Sequence, residues 1–161
     1  MSEQIKPRSG PKNLLKRVYV KALLFLLPTL LVTGRHLSRK IQAEIDYLPQ
    51  DYVFALTVAN TELHCICRKT NKRSWKRIFS SAEISTPVTY TIEFRDINYA
   101  FACFSGSLSL QDALSARLFT TRGPNNTGVA LTYMFTTLLH TFFFWRSAYR
   151  PSIRRSTDAS L

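Results

Sequence analysis

VTYTIEFRDINYAFACFSGSLSLQDALSARLFTTRG, running from Val88 to Gly123, decides the fold of this 161-residue chain. Val88, Tyr90, Ile92 and Phe94 alternate with Thr89, Thr91 and Glu93, the period-two pattern of a strand with one buried and one wet face. Asp96 then offers a carboxylate to the open N–H groups of a helix over Ile97 to Ser105, apolar through Tyr99, Phe101, Ala102, Cys103 and Phe104. Gly106 supplies its stop. Ser109 caps a second short helix, Leu110 to Ala116, with Asp112 at the third helical position, where a negative charge favours the N-terminal end of the dipole. Leu118 to Arg122 reads as another strand, ended by Gly123-Pro124-Asn125-Asn126.

Upstream, Asp51 to Val58 is a strand whose near-continuous apolarity predicts cover on both faces. Asn60-Thr61-Glu62 turns into a second strand, Leu63 to Arg68, paired as a hairpin. Arg68 to Arg73 reads as a basic hairpin tip, and Ser74 to Phe79 as a third strand. A helix is expected from Arg35 to Leu48, with Ile41, Ile45 and Leu48 on one side and Pro49 at its end. Downstream, Gly123 to Trp145 holds no charged residue. Thr132, Thr136, Thr137, His140 and Thr141 form one narrow stripe, and Leu131, Met134, Phe135, Leu138, Leu139, Phe142 and Trp145 fill the rest. That is the pattern of a helix buried on most sides. Arg146 to Leu161 reads as a solvated basic tail.

The N-terminal arm is basic, then apolar. Lys12, Lys16, Arg17 and Lys21 share half of a helical wheel and precede Ala22 to Leu27. A secretory leader would suit the apolar centre, but the basic region is long and free cysteines would enter an oxidising space. The 13 residues between Lys21 and Arg35, broken by Pro28, are too few to span a bilayer. Two readings stay open: a helix lying on an anionic membrane surface through Lys12, Lys16, Arg17, Lys21, Leu24 and Phe25, or a helix capping the core.

An apolar content of 45% supports one domain with a real core, and a net charge of +12 calls for an anionic partner. Three cysteines are too few for a disulfide framework. A reducing, cytoplasmic setting at the inner membrane fits them. Cys65 and Cys67 lie two apart on a strand and so share a face, without the further spacing a metal site needs. The sequence contains no phosphate loop, nucleophile elbow, kinase signature or paired-His motif. The expectation is a non-enzyme without metal or cofactor.

Strand, helix, Gly106-Ser107-Leu108-Ser109, helix with Ala113, and a short strand from Leu118 closed by Gly123 resemble the second half of the sterol carrier protein-2 family. The resemblance implies an α+β domain with a mostly antiparallel five-stranded sheet covered by helices, here with an N-terminal helical extension. It divides the chain into a basic tail (1–12), the extension (13–48), the domain (49–146) and a second basic tail (147–161). It implies an apolar cavity for a lipid or isoprenoid ligand: an acyl lipid, a phospholipid or a polyprenyl quinone intermediate. Met134, Phe135, Leu138, Leu139, Phe142 and Phe143 would form one wall, with Phe101, Phe104, Leu108 and Leu118 opposite. Within the family, the extension and length look like bacterial accessory factors of ubiquinone biosynthesis, with lipid-modifying enzymes as partners. Two other readings are a nucleic-acid adaptor acting through Lys69 to Arg77 and the two basic arms, with Trp75 as its aromatic, and an inner-membrane protein anchored by Ala22 to Val32 or by the last helix.

Overall fold

Five strands form one sheet in a computed structural model that describes residues 11–71, 74–79 and 87–143. In chain order the elements are α1 (Pro11–Leu37), α2 (Arg39–Tyr47), β1 (Val53–Val58), β2 (His64–Asn71), β3 (Ser74–Ile78), β4 (Tyr90–Phe94), α3 (Ile97–Phe104), α4 (Leu110–Ser115), β5 (Phe119–Arg122) and α5 (Asn125–Phe143). The strand order is β3-β2-β1-β4-β5. Only the central β1–β4 pairing is parallel, and the other three are antiparallel. The fold is therefore the expected α+β arrangement with a mostly antiparallel sheet. The expected tails 1–12 and 147–161 lie almost wholly outside the described residues, except that α1 already includes Pro11 and Lys12.

Register explains why this sheet holds together. Phe54 and Leu56 of β1 stand opposite Cys67 and Cys65 of β2 and beside Tyr90 and Ile92 of β4. Phe119 of β5 stands opposite Phe94, with ring centroids 5.3 Å apart. These residues share one sheet face, and all of them are buried in a single core with the helices. Val53 and Ala55, on the opposite side of the pleat, are buried as well, as the apolar run of β1 implies.

The caps form as the residues dictate. The Asp96 carboxylate accepts from the Asn98 backbone N–H at the start of α3. The Ser109 hydroxyl accepts from Asp112 N–H at 3.0 Å, capping the helix, and donates to the Asp112 carboxylate at 2.7 Å.

The N-terminal arm departs most from expectation. Pro28 does not end it: α1 runs unbroken for 27 residues, and the expected single helix from Arg35 is instead split at Ser38. Proline costs a helix one N–H donor and crowds the preceding turn. Packing offsets that cost, because Val20, Leu23, Leu24, Leu27 and Leu31 are all buried on one side of α1. The helix lies against α2, α3, α5 and strands β2 and β3. At Gly34, an added β-carbon would stand 3.0 Å from Leu138 and 3.1 Å from Phe142, so glycine lets α1 approach α5 closely. The arm is thus part of the core, while its outer side still carries apolar residues.

The cysteines are buried and reduced. Cys65 and Cys67 share a face with Sγ atoms 3.5 Å apart. Donation from Cys67 lowers the Cys65 pKa, and the same bond together with burial raises that of Cys67. Burial pushes Cys103 up to about 12.

Candidate functional site

On the helix-facing side of the sheet α1 packs against β2 and β3, and Phe135 of α5 meets Phe54 of β1. Helix α4, the N-terminal half of α5 and the β4–β5 pair enclose a cleft of about 320 Å³. Tyr90 and Thr121 face it from the sheet, Gln111 and Leu114 from α4, and Asn125, Gly128, Val129, Thr132, Tyr133 and Thr136 from α5.

Two glycines position Tyr90. At Gly128 a β-carbon would fall 2.3 Å from the Tyr90 hydroxyl oxygen, so only glycine lets that ring lie beneath the first turns of α5. At Gly123, with φ of 137°, a β-carbon would fall 2.5 Å from a Tyr90 ring carbon. The threonine stripe read from the sequence supplies the other wall. Thr132 donates to the Gly128 carbonyl and Thr136 to the Thr132 carbonyl, both at 2.9 Å, so each hydroxyl proton is engaged within α5. Tyr52 lies behind, fully buried near Thr127 and Tyr90, and burial raises its pKa.

The lining contains no carboxylate, imidazole, thiol or amine. Its apolar walls carry hydroxyl and amide groups at intervals, which suits an apolar molecule with a small polar group and supplies no acid, base or nucleophile active near neutral pH. Among the described residues no cluster of three His, Cys, Asp or Glu side chains is placed to hold a metal.

The residues expected to wall a cavity lie mostly elsewhere. Met134, Phe135, Leu138 and Leu139 are buried in the core. Phe135 meets Phe54 edge-on with centroids 5.5 Å apart, and Phe54 in turn meets Trp75. Phe104 packs on Phe94, and Phe101 meets Tyr19 of α1 edge-on at 5.3 Å. Leu108 and Leu118 are partly buried against the same core. Helix α1 packs against both α3 and α5, the helices that carry most of the expected wall residues. Phe142 alone of that group lines a described cavity, a groove of about 290 Å³ shared with Tyr19, Ala22, Leu23, Leu26 and Leu30. The Phe143 side chain lies outside the described residues.

Sequence reasoning missed Tyr90 and Gly128 as site residues. The signal was present in a glycine set one helical turn before the threonine stripe, on the same side of α5.

Of the residues expected at a membrane surface, Lys12, Arg17, Lys21 and Phe25 are exposed. Leu24 is buried in the core, a correction that follows from its place one turn after Val20 on the inner stripe of α1. Lys16 turns toward α3, where it donates to Asn98 at 2.7 Å and its ammonium stands 5.7 Å from the Phe101 centroid. The basic run Lys69 to Arg77 is also corrected. Lys69 is 1% exposed and Trp75 is buried, so neither is available as a surface contact for a nucleic acid. Lys72 and Arg73 lie outside the described residues. Among the described residues no helix is long and apolar enough to cross a membrane.

No family model matches the sequence, and no curated protein matches it. Solved structures do. A UbiJ-SCP2 ubiquinone synthesis protein superposes with a TM-score of 0.50 at 12% identity, over 83% of this chain and 98% of that one. A sterol carrier protein 2 like 2 from Aedes aegypti gives 0.37 at 12% identity, over 63% of this chain and 94% of that one. The first likeness, extending over nearly the whole of the other chain, shows that this sequence adopts the sterol carrier protein-2 fold.

Proposed function

We propose that this chain is a non-catalytic lipid carrier that receives an apolar ligand through the cleft between α4, α5 and the β4–β5 pair. The observation that carries the reading is the cleft itself: an open, apolar-walled space with scattered hydroxyl and amide groups and no group suited to catalysis. Its volume is at the small end of the roughly 300–1,000 Å³ of ligand sites, enough for a head or one end of a chain. Removal of apolar surface from water, about 25 cal/mol per Å², drives such binding without chemistry. The ligand class is an acyl lipid, a phospholipid or a polyprenyl quinone intermediate. The similar solved structure described as a ubiquinone synthesis protein supports the last of these and a role beside enzymes that modify lipids. The exposed basic and apolar residues of α1 support work at the cytoplasmic surface of an anionic membrane.

Gly128→Ala tests the site. The new methyl cannot coexist with the present position of the Tyr90 ring, which lines the cleft and must be displaced. A fluorescent fatty-acid probe titrated into the folded variant is expected to bind about tenfold more weakly than to the parent, a change of about 1.4 kcal/mol. Unchanged affinity in a folded variant with a displaced Tyr90 would place the ligand elsewhere.

A further inference from the structure

Helix α1 is apolar on both sides, and only the inner one is covered. Leu15 and Phe25 on the outer side are 72% and 62% exposed, beside Val18 and Leu26. Across a groove of about 470 Å³ stands Arg77 of β3. Strand parity turns Arg77 to the helix-facing side, opposite Cys67, at the open edge of the sheet. Its guanidinium carbon is 5.4 Å from the centroid of Phe25 and 5.2 Å from that of Phe79, another exposed ring. One guanidinium nitrogen, Nη1, is buried and has no hydrogen-bond partner among the described residues, while Nη2 makes only a 3.4 Å contact to the His64 carbonyl. Lys21 lines the same groove.

Two exposed aromatic rings covering an under-bonded guanidinium form an arrangement with an unmet need for an anion. We propose that this face is a phospholipid-docking site in which Arg77 takes the phosphate of an anionic lipid while Phe25, Phe79 and Leu26 enter the acyl layer. The proposal rests on the reading of the chain as a lipid carrier and adds the seat by which it meets the bilayer. When the rings swing outward into the membrane, they uncover the forked donors of Arg77, and Lys21 supplies a second positive charge. Charge selects the occupant. A second copy of this chain would bring cation against cation, whereas an anionic bilayer complements both the basic groups and the aliphatic surface. A nucleic acid would engage the charges and rings but would leave Leu15, Val18 and Leu26 without apolar cover.

The full-length chain is mixed with sucrose-loaded vesicles of phosphatidylcholine alone or with phosphatidylglycerol, and pelleted. Binding is expected only with phosphatidylglycerol. Arg77→Lys, which keeps the charge but loses the planar fork, is expected to weaken it about tenfold, as is Phe25→Ser. Lys40→Gln, which removes a charge from exposed α2, is expected to change it less than twofold. Equal binding by Arg77→Lys and the parent would overturn the specific seat while leaving the carrier reading intact. Arg77-dependent binding of an RNA oligonucleotide without vesicle binding would overturn the membrane as occupant. Failure of the parent to bind any vesicle would overturn the docking face, whereas failure of the carrier reading shows separately as loss of fatty-acid probe binding.

Discussion

Lys69→Met is expected to lower the unfolding free energy by about 3 kcal/mol, read from the denaturant midpoint. The Lys69 ammonium is buried beneath α2 and donates to the carbonyls of Ile45 and Leu48. Those carbonyls belong to the last turn of α2 and its C-cap, where acceptors have no intrahelical donor and the dipole is negative. The lysine therefore joins the end of α2 to strand β2. Methionine matches the stem in length and apolarity but leaves two buried acceptors unbonded, each costing about 1–3 kcal/mol. Some buried ions are net unfavourable beside an apolar replacement. A midpoint that rises or stays fixed would put Lys69 in that class.

Phe135→Ala is expected to cost about 3–5 kcal/mol and to lower the melting temperature by about 10 °C, measured by circular dichroism. Phe135 is buried among α5 neighbours and meets the ring of Phe54, which links it to Trp75 across the sheet. Truncation leaves a cavity in packed surroundings. A residue on the wall of an open lipid chamber would behave differently: the chamber would widen, lipid affinity would change and stability would hardly move. The same scan thus separates the two placements of Phe135.

These two residues illustrate what the sequence discloses and what it does not. The strands were legible because alternation in Tyr90 to Phe94 and apolarity in Val53 to Val58 are local consequences of burial. The caps at Asp96 and Ser109 were legible for the same reason. Lys69 was misread because it sits in a basic run, although its parity with Cys65 and Cys67 already places it on their buried face. Phe135 was correctly read as buried but not as packed, since period alone cannot distinguish a core neighbour from a cavity wall. The course of α1 was hidden for a different reason. A proline inside a helix is tolerated only when tertiary contacts offset it, and those contacts lie on α3, α5 and the sheet, far away in sequence. The cleft depends on Gly128 meeting Tyr90, 38 positions apart: the glycine before the threonine stripe is visible locally, but its partner on β4 is not.

The exposed side of α1 has the same origin. Apolar residues of α1 outside its buried stripe have no cover from the fold, so Leu15, Val18, Phe25 and Leu26 remain as surface beside Lys21 and Arg77. On the proposed reading the cleft and the docking face are separate, the cleft to receive a lipid and the face to bring the protein to the bilayer.

Whether a lipid is received at all is tested most directly by extracting the purified full-length chain with organic solvent and identifying the extract by mass spectrometry. The account predicts a lipid near one equivalent per chain, sharply reduced in Gly128→Ala. A clean extract from the parent, under conditions where added lipids remain unbound, would contradict it.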